Sequence, residues 1–332
     1  VTTTYCEAGD VNLGICPMFG LPINVDGPRT DVSDVTSYAY YQNDHVGCSA
    51  APATCQYRRG DLWKVTDALG RVTEFLRYDA TGRALSTKNP NGVTTEYEYH
   101  PRGWLTAVKI RGPNSGVETD DRITRTQYWP NGLVQRVTRP GGAYLDFLYD
   151  PAKRLVRISD SEGGYIAYTL DNAGNRVAER TREADGTLRR SLFRIYDALG
   201  RLETTADAAS NPTDYARDGN GNVTAVTDPL GTTTAHQYDA LGRLRRTVQD
   251  VGGIGAETLM GYDALDRIVQ VTDPKGLQTA YTYNALGDLL QLDSPDTGTT
   301  TYTYDSGGNR ATQTDARTQM TSLTYDALDR LT

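Results

Sequence analysis

A seven-residue motif recurs along the chain at an almost constant spacing, and this recurrence restricts the fold more than any other feature. The motif reads YDALGRL at residues 196–202 and again at residues 238–244. Its copies begin at Tyr78, Tyr99, Tyr128, Tyr149, Leu170, Tyr196, Arg217, Tyr238, Tyr262, Tyr283, Tyr304 and Tyr325. Successive copies are 21 residues apart in eight of eleven intervals, and the other intervals are 29, 26 and 24 residues. This period predicts a repeat array, in which each unit packs against its neighbours.

Each unit contains two sequences that are typical of tight turns. One is Asp-Pro-x-Gly, as at residues 228–231, and the other is the Asp-x-x-Gly that follows the motif tyrosine, as at residues 239–242. Aspartate opens such a turn by accepting backbone hydrogen bonds, and glycine adopts the backbone angles that other residues resist. The glycines predicted to form the motif turns include Gly200, Gly242 and Gly287.

The residues between the turns have the pattern of β-strands. Tyr281 and Tyr283 alternate with Thr282, which places the two tyrosines on one face of a strand. The next strand carries apolar residues three positions apart, as at Leu289 and Leu292. A spacing of three breaks strict alternation and predicts a bulge at a fixed place in every second strand. Each unit is therefore predicted to be one β-hairpin.

Composition agrees with strands and turns. The chain has 22 Tyr and 33 Gly but only 4 Phe and 3 Met, and tyrosine favours strands. Twelve units predict about 24 strands, or roughly 115 Å of sheet at about 4.8 Å per strand. A sheet of that length twists and needs cover for its Tyr/Leu face. The predicted fold class is all-β: repeated antiparallel hairpins in a curved, spiralling sheet that forms a hollow shell, a barrel-like wall, or a segment of one.

Residues 1–60 are not in register with the repeat, and they contain all four cysteines, Cys6, Cys16, Cys48 and Cys55. Short loops cost the least entropy to close, which favours the pairs Cys6–Cys16 and Cys48–Cys55. Free thiols and a zinc site that includes His45 remain alternatives, although the cysteine spacing is unlike that of zinc knuckles. Disulfides would favour an exported protein, so the predicted location is secreted or at the cell surface.

The sequence predicts two regions. Residues 1–60 are expected to form an irregular, cysteine-containing N-terminal cap or the tail of a preceding module, with one strand at about residues 36–41. Residues 61–332 are expected to form the array of about twelve units. The sequence stops within a repeat, so we expect it to be part of a longer chain.

Several functions are disfavoured by the sequence. The formal net charge is −8 and no basic patch stands out, so nucleic acid is not an expected partner. No apolar run approaches the roughly 20 residues of a membrane helix. The triplet at residues 296–298 resembles that of aspartic proteases, but no second triplet supplies the paired carboxylate. The motif aspartate is followed by Ala-Leu, too few oxygens for calcium. We therefore expect no enzyme activity, metal or cofactor.

The Tyr-Asp motif at a period of 21 resembles the rearrangement-hotspot (Rhs), or YD-repeat, family over about residues 61–332. The family includes bacterial Rhs and wall-associated proteins, shell subunits of insecticidal toxin complexes and animal teneurins. The resemblance implies a hollow β-shell that encloses a toxin polypeptide. The expected partners are that toxin polypeptide or adjoining parts of the same larger chain. His100, Trp129, Leu170 and Arg217 depart from the Tyr-Asp pattern, which suggests units near contacts or insertions.

Two functions are thus expected for the array. The first is structural containment, in which the motif tyrosines hold unit against unit; these are Tyr78, Tyr149, Tyr196, Tyr238, Tyr262, Tyr283, Tyr304 and Tyr325. The alternative is an extracellular carbohydrate- or cell-binding module in adhesion. For that alternative the candidate glycan contacts are Trp63, Trp104 and Trp129, because aromatic rings can stack on sugars.

Overall fold

The chain is all-β, as the sequence predicts. The computed structural model describes residues 1–49, 55–114 and 117–332, and within these residues it has 27 strands, one helix of five residues at Ala8–Asn12 (α1) and a 3-10 turn at Val46–Cys48. From Leu62 onwards the described residues contain 24 of the strands, which are eleven hairpins around the motif turns after residues 78 to 304 and one further strand at either end. The twelfth motif turn, after Tyr325, is closed by an isolated bridge to Leu331. No helix among these residues is long and apolar enough to cross a membrane.

The chain divides into two compact parts, each of which contains several repeat units. The first consists of Val1–Tyr144, Asp305–Asn309 and Leu323–Thr332. Its strands pair antiparallel, each with the next in sequence. They are Thr2–Tyr5 (β1), Pro22–Asp26 (β2), Thr36–Tyr40 (β3), Leu62–Thr66 (β4), Val72–Tyr78 (β5), Ala84–Lys88 (β6), Thr94–Tyr99 (β7), Leu105–Ile110 (β8), Arg122–Tyr128 (β9) and Val134–Thr138 (β10).

The second part consists of Leu145–Tyr304 and Arg310–Ser322. Its strands also pair antiparallel, each with the next in sequence. They are Tyr144–Tyr149 (β11, beginning at the boundary), Leu155–Asp160 (β12), Tyr165–Leu170 (β13), Arg176–Arg182 (β14), Leu188–Tyr196 (β15), Leu202–Ala206 (β16), Pro212–Arg217 (β17), Val223–Thr227 (β18), Thr233–Tyr238 (β19), Leu244–Gln249 (β20), Ala256–Tyr262 (β21), Ile268–Thr272 (β22), Gln278–Tyr283 (β23), Leu289–Ser294 (β24), Gly298–Tyr304 (β25), Arg310–Thr314 (β26) and Met320–Ser322 (β27).

The predicted bulge is present at a fixed position beside the motif tyrosine. Tyr283 pairs with Leu289, but Thr282 pairs with Gln291, so one residue of β24 has no partner. Because of this extra residue, Leu292 pairs with Tyr281 and both leucines face the tyrosines. The same register shift occurs in the units of Tyr99, Tyr149, Tyr196, Tyr238, Tyr262 and Tyr304.

The motif turn is a three-residue hairpin loop closed by a residue with positive φ. In the unit at Tyr238, the Gly242 N–H donates to Asp239 O at 3.0 Å, and the Asp239 N–H donates to Arg243 O at 2.9 Å. Gly242 has a φ of +79°, which places it in the left-handed region that a three-residue hairpin loop requires. Gly200 and Gly287 occupy the same position with φ values of +75° and +96°.

The N-terminal region carries strands β1–β3 and joins the array through the pairing of β3 with β4. Cys6 is bonded to Cys16 and Cys48 to Cys55, the two pairs that short-loop closure favours. Cysteines in disulfides do not bind zinc, and His45 Nδ1 instead accepts from the Gly47 N–H at 3.0 Å. A domain boundary at residue 60 stays a prediction.

In the residues that the structure describes, neither of the two parts of the chain has a large buried core. Among the described residues, the buried apolar side chains are few, and they are those of Cys6, Cys16, Pro17, Tyr40, Tyr78, Ala107 and Ala178. Most strand residues are half-buried, as in β18 and β22, where every side chain is intermediate in exposure. The strands are therefore stabilised by neighbours in the sheet, and a second packed layer contributes little.

Candidate functional site

A network of hydrogen bonds, which we call the turn clamp, fixes the motif turn. In the unit at Tyr238, Asp239 Oδ1 accepts from the N–H groups of Leu241 and Arg243 at 2.9 and 3.0 Å, and Asp239 Oδ2 accepts from Arg243 Nε at 2.7 Å. The Asp–Arg contact recurs, four residues apart, in Asp67–Arg71, Asp79–Arg83, Asp150–Arg154, Asp197–Arg201, Asp263–Arg267 and Asp326–Arg330.

The clamp arginine also reaches the following unit. Arg243 Nη1 donates to Asp263 O at 3.1 Å, and Arg267 Nη1 donates to Asn284 O at 2.7 Å. Arg154 Nη1 makes the equivalent contact with Asp171 O at 3.0 Å. The planar guanidinium presents several donors in fixed directions. One side chain therefore closes its own turn and ties it to the next.

The clamp keeps its aspartates ionised. Burial alone would raise the pKa of Asp79, but hydrogen bonds from Thr81 and Arg83 outweigh burial and lower this pKa to about 2. The hydrogen bond from Arg330 is the main cause that lowers the pKa of Asp326 to about 2. Because both oxygens of each carboxylate are engaged by its own turn, these repeated aspartates have a structural role and are poorly arranged for calcium.

The motif tyrosines connect successive units through their hydroxyl groups. Tyr238 Oη donates to Val223 O at 3.0 Å, Tyr262 Oη to Leu244 O at 2.7 Å and Tyr304 Oη to Leu289 O at 3.0 Å. Each acceptor is the first residue of the second strand of the preceding unit. Equivalent bonds are made by Tyr78, Tyr99, Tyr128 and Tyr196. The excess of tyrosine over phenylalanine thus has a structural reason.

The other motif tyrosines, Tyr283, Tyr149 and Tyr325, have different surroundings. The Arg267 guanidinium lies 4.9 Å from the ring centroid of Tyr283. Burial raises the pKa of Tyr149, and Tyr325 forms a β-bridge with Leu331. The role of these residues in holding units together stays a prediction for mutagenesis.

In the first part of the chain, two neighbouring motif turns lack the Asp–Arg pair. At the turn after Tyr99, His100 occupies the aspartate slot and Trp104 the arginine slot, and the two rings stack with centroids 4.7 Å apart and planes 15° apart. At the turn after Tyr128, Trp129 occupies the aspartate slot and Leu133 the arginine slot. At two consecutive motif turns the ion pair is therefore replaced, by two aromatic side chains in the first and by a tryptophan and a leucine in the second.

These two turns border a cavity of about 690 Å³, which we call the aromatic groove. Trp104 and Tyr128 lie within it with ring centroids 5.3 Å apart, and Trp129 is 38% exposed. The groove is lined by the aromatic residues His100, Trp104, Tyr128 and Trp129 and by the polar residues Glu98, Arg102, Thr106, Arg125, Thr126, Gln127 and Gln135, together with Pro130.

Trp63, the third candidate tryptophan, lies in a different cavity of about 670 Å³. Tyr41 and Tyr57 stack there with centroids 3.6 Å apart, and Trp63 lies 6.0 Å from Tyr41. Lys64 Nζ covers the Trp63 ring at 4.1 Å from its centroid. Of the three tryptophans named from the sequence, the structure thus brings Trp104 and Trp129 together and leaves Trp63 apart.

Sequence reasoning missed the residues that complete the groove. His100 departs from the Tyr-Asp pattern, but the sequence pattern does not indicate that its ring stacks on Trp104. The available signal was the paired replacement of Asp and Arg, four residues apart, by His and Trp. Asp296, of the protease-like triplet, lies between β24 and β25, where its N–H donates to Ser294 Oγ at 3.3 Å.

The sequence matches the family model described as RHS Repeat. The matched segments are residues 78–114, 149–188, 196–233, 217–254, 262–299 and 283–319. Together they cover more than half of the 332 residues.

Two curated toxins are similar to the chain in sequence. Toxin protein Tse5 of Pseudomonas aeruginosa is 31% identical over 192 residues, which is 52% of this chain and 14% of that protein. Double-stranded DNA deaminase toxin A of Burkholderia cenocepacia is 30% identical over 172 residues, which is 36% of this chain and 12% of that protein. The chain therefore spans only a small part of the length of either relative.

Solved structures share the fold. The crystal structure of TcdB2-TccC3-TEV matches with a TM-score of 0.66 and 16% identity, over 94% of this chain and 19% of the other. The crystal structure of TcdB2-TccC3 matches with a TM-score of 0.54 and 18% identity, over 99% of this chain and 20% of the other. The structure of a Photorhabdus luminescens Tc holotoxin pore matches with a TM-score of 0.53 and 18% identity, over 94% of this chain and 18% of the other.

Proposed function

The chain belongs to the RHS-repeat family, and on that premise we propose that it is a segment of a β-sheet wall that encloses a toxin polypeptide until delivery. In this role the array keeps the enclosed polypeptide away from solvent, from proteases and from the producing cell. The function is containment and requires no catalytic group of the array itself.

The observation that carries this proposal is the near absence of a buried core in a long, regular sheet. Few apolar side chains are buried among the described residues, whereas a globular domain of this length would bury most of the surface of its unfolded chain. Turn clamps and tyrosine hydrogen bonds instead stabilise each unit against its neighbours. Such a sheet is suited to bound a space, because its stability does not depend on filling that space with side chains.

The comparisons support an association with toxins. Both curated relatives are named as toxins, and the solved structures with the same fold include a Tc holotoxin. We propose that a toxin polypeptide, in the same chain or an adjoining one, is the partner of this array. The two disulfides support a secreted or cell-surface location, where such bonds persist.

Limited proteolysis of the complete gene product tests containment. The protein is digested with trypsin, with and without the substitutions Gly200→Val and Gly242→Val, which weaken two turns. We expect a segment outside the repeats to survive digestion in the unmodified protein and to be cleaved in the variant. The same segment expressed alone is the control and should be cleaved rapidly.

The outcome that overturns containment is equally clear. If every segment outside the repeats is cleaved as fast in the unmodified protein as when expressed alone, the array encloses nothing. In that case the adhesion alternative, in which the array displays a binding surface, becomes the better account.

A further inference from the structure

The last two motif turns hold a buried arginine that comes from outside the repeat. Arg29 lies in the loop between β2 and β3, which we call the latch loop (residues 27–34), and its side chain is only 3% exposed. Its Nη1 donates to Asp326 O at 2.6 Å and lies 3.6 Å from Asp329 Oδ1, and its Nη2 lies 3.7 Å from Asp305 Oδ2. All four residues belong to the first part of the chain.

Arg29 occupies the position that a clamp arginine occupies elsewhere. In the unit at Tyr238, the clamp arginine contacts three groups: the aspartate carboxylate of its own turn, the aspartate carbonyl of the following turn, and the carboxylate three residues after that carbonyl. Arg29 contacts the same three groups in the last two turns. The clamp position that would supply this arginine holds Asn309. Arg29 therefore substitutes for a clamp arginine that the repeat lacks.

The turn between β25 and β26 departs from the motif where it meets the latch loop. Ser-Gly stands there in place of the Ala-Leu of the motif. The Thr30 N–H donates to Ser306 Oγ at 3.0 Å, and alanine has no atom that could accept this bond. A Cβ on Gly307 would lie 2.9 Å from Arg29 Cγ, so the glycine leaves room for the arginine. Together with Asn309, three departures in one turn fit a single docked loop, and such local exceptions often mark functional sites.

The last turn contributes a carboxylate at a position where most motif turns have glycine. Asp329 has a φ of +57°, a region that residues with a Cβ resist. Asn309 Nδ2 donates to Asp329 Oδ1 at 2.7 Å and so orients this carboxylate. Six motif turns lack the clamp arginine, and only in the unit of Asn309 does the following turn hold a carboxylate at this position. This pair of turns is therefore the one suited to receive an arginine from elsewhere.

The latch loop holds Arg29 ready for docking. Asp31 accepts from Arg29 Nε at 3.1 Å and from Nη2 at 2.6 Å, one bond to each carboxylate oxygen. Asp34 Oδ2 accepts from the Arg29 N–H at 3.0 Å. This arrangement leaves Nη1 to donate to the motif turn. A side chain that is already oriented loses less entropy on binding.

The two tasks of a clamp arginine are divided at this place. Asn309 closes its own turn, because its N–H and its Nδ2 donate to the two oxygens of Asp305 at 2.9 and 3.2 Å. Arg330 closes the next turn by donating from Nε to Asp326 Oδ2 at 2.8 Å. Arg29 supplies only the tie to the N-terminal region. The tie can therefore break while both turns stay closed.

We propose that the latch loop is a removable intramolecular latch. Its arginine docks in the slot between the last two motif turns, and its release frees the N-terminal region from these turns without unfolding either. Asp31 leaves together with Arg29, so release does not strand an unpaired guanidinium. The proposal does not depend on containment, and its test involves no enclosed polypeptide.

A pair of introduced cysteines reports whether the latch loop is docked. Thr30 Oγ1 and Ser306 Oγ lie 3.3 Å apart, so Thr30→Cys combined with Ser306→Cys should place two thiols within reach of a disulfide. The four native cysteines are already paired with one another. The double variant of the full chain is equilibrated in a glutathione buffer, and the linked tryptic peptides are quantified by mass spectrometry. We expect a crosslink within one chain, whose equilibrium gives the effective concentration of the two thiols.

Two further substitutions in this background should open the latch. Arg29→Ala removes the guanidinium, and Asn309→Arg fills the slot from within the repeat, as Arg243 does in its unit. Each should lower the effective concentration at least about tenfold, as expected when hydrogen bonds to a charged group are lost, and should leave the circular dichroism spectrum unchanged. Asn222→Arg is the matched control, because Asn222 occupies the same position in a turn that the latch loop does not contact. It should crosslink like the parent pair.

Three results would overturn the proposal. One is an effective concentration that stays the same in Arg29→Ala and in Asn309→Arg. Another is that the crosslink is lost only together with the circular dichroism signal of the sheet, which would make Arg29 a fixed part of the fold. The third is a crosslink found only between two chains, which would assign the slot to the latch loop of a second copy.

Discussion

Arg243 connects two repeat units: its Nε lies 2.7 Å from Asp239 Oδ2 within its own turn, and its Nη1 lies 3.1 Å from Asp263 O in the next. A third contact joins Nη1 to Asp266 Oδ1 at 2.8 Å. Stability within a unit and coupling between units thus depend on one guanidinium. In a repeat array these two quantities, intrinsic stability and interface stability, together decide whether the array unfolds as one.

The substitution Arg243→Lys is therefore expected to destabilise the array although it keeps the charge. An ammonium group can occupy one of the positions of the guanidinium but cannot donate to Asp239 and Asp263 in the same geometry. We expect a lower melting temperature and a broader unfolding transition, measured by circular dichroism. Arg245→Lys, two residues away at an exposed position, is the matched control and should melt like the parent. Equal melting of all three proteins would contradict the coupling role.

The array is expected to lose stability in acid. Hydrogen bonds lower the pKa of the clamp aspartates, to about 2 for Asp79 and Asp326, from an ordinary value of 3.8. A folded-state pKa below the unfolded value gives stability that is fully present above the unfolded pKa and is lost as pH falls through the folded one. The melting temperature should therefore be constant above about pH 5 and fall between about pH 4 and pH 2.

Asp79→Asn separates this effect from general acid unfolding. Asparagine keeps the backbone-accepting oxygen, as Asn89 does by accepting from the Asn91 and Val93 N–H groups at 3.0 and 2.9 Å, but it does not titrate. The variant should melt below the parent at pH 6, and the difference should shrink as the pH approaches 2. A difference that stays constant over this range would show that the ionised Asp79 contributes nothing specific.

Local features were predictable from the sequence because they depend on residues close in the chain. The Asp-x-x-Gly turn at Gly242 and the bulge between Leu289 and Leu292 are both encoded within one unit, and both predictions of local structure are confirmed. The all-β class followed from the same regularities, repeated along the chain.

Contacts between units were not predictable, because they depend on how hairpins align. The bond from Tyr238 Oη to Val223 O joins residues 15 apart, and nothing in the motif names a carbonyl as its acceptor. Arg29 is the extreme case, because its Nη1 donates to Asp326 O at 2.6 Å. These two residues are 297 positions apart in sequence, although both belong to the first of the two parts of the chain. A periodic pattern gives no information about such a contact, since Arg29 lies outside the repeat.

Gly242→Val is expected to destabilise the chain through backbone strain. Gly242 has a φ of +79°, and among the described residues other than its chain neighbours, only Asn222 Oδ1, at 3.9 Å, would lie within 4 Å of an added Cβ. Crowding is therefore not the cause. A β-branched residue in this region costs on the order of 1–3 kcal/mol. Urea unfolding followed by circular dichroism measures the change in the free energy of unfolding.

Gly242→Asn is the control for this prediction. Other units already place non-glycine residues at the same position, Asp266 at a φ of +63° and Lys153 at +65°, and asparagine tolerates the left-handed region better than most residues. The cost for asparagine should be clearly smaller than the cost for valine. If the two variants were equally stable, positive φ would not be what selects glycine here.

The hydroxyl of Tyr238 is expected to stabilise the junction between two units. Its bond to Val223 O crosses from one hairpin to the preceding one, and Tyr238→Phe removes the donor while leaving the ring. The carbonyl of Val223 then loses a partner, which costs about 0.5–1.5 kcal/mol for a neutral hydrogen bond. Tyr281→Phe is the matched control, because the Tyr281 hydroxyl bonds to none of the described residues although its ring lies on the same strand face as Tyr283. Urea unfolding should show a loss for Tyr238→Phe alone; equal losses would mean that ring packing, and not the hydroxyl, explains the preference for tyrosine.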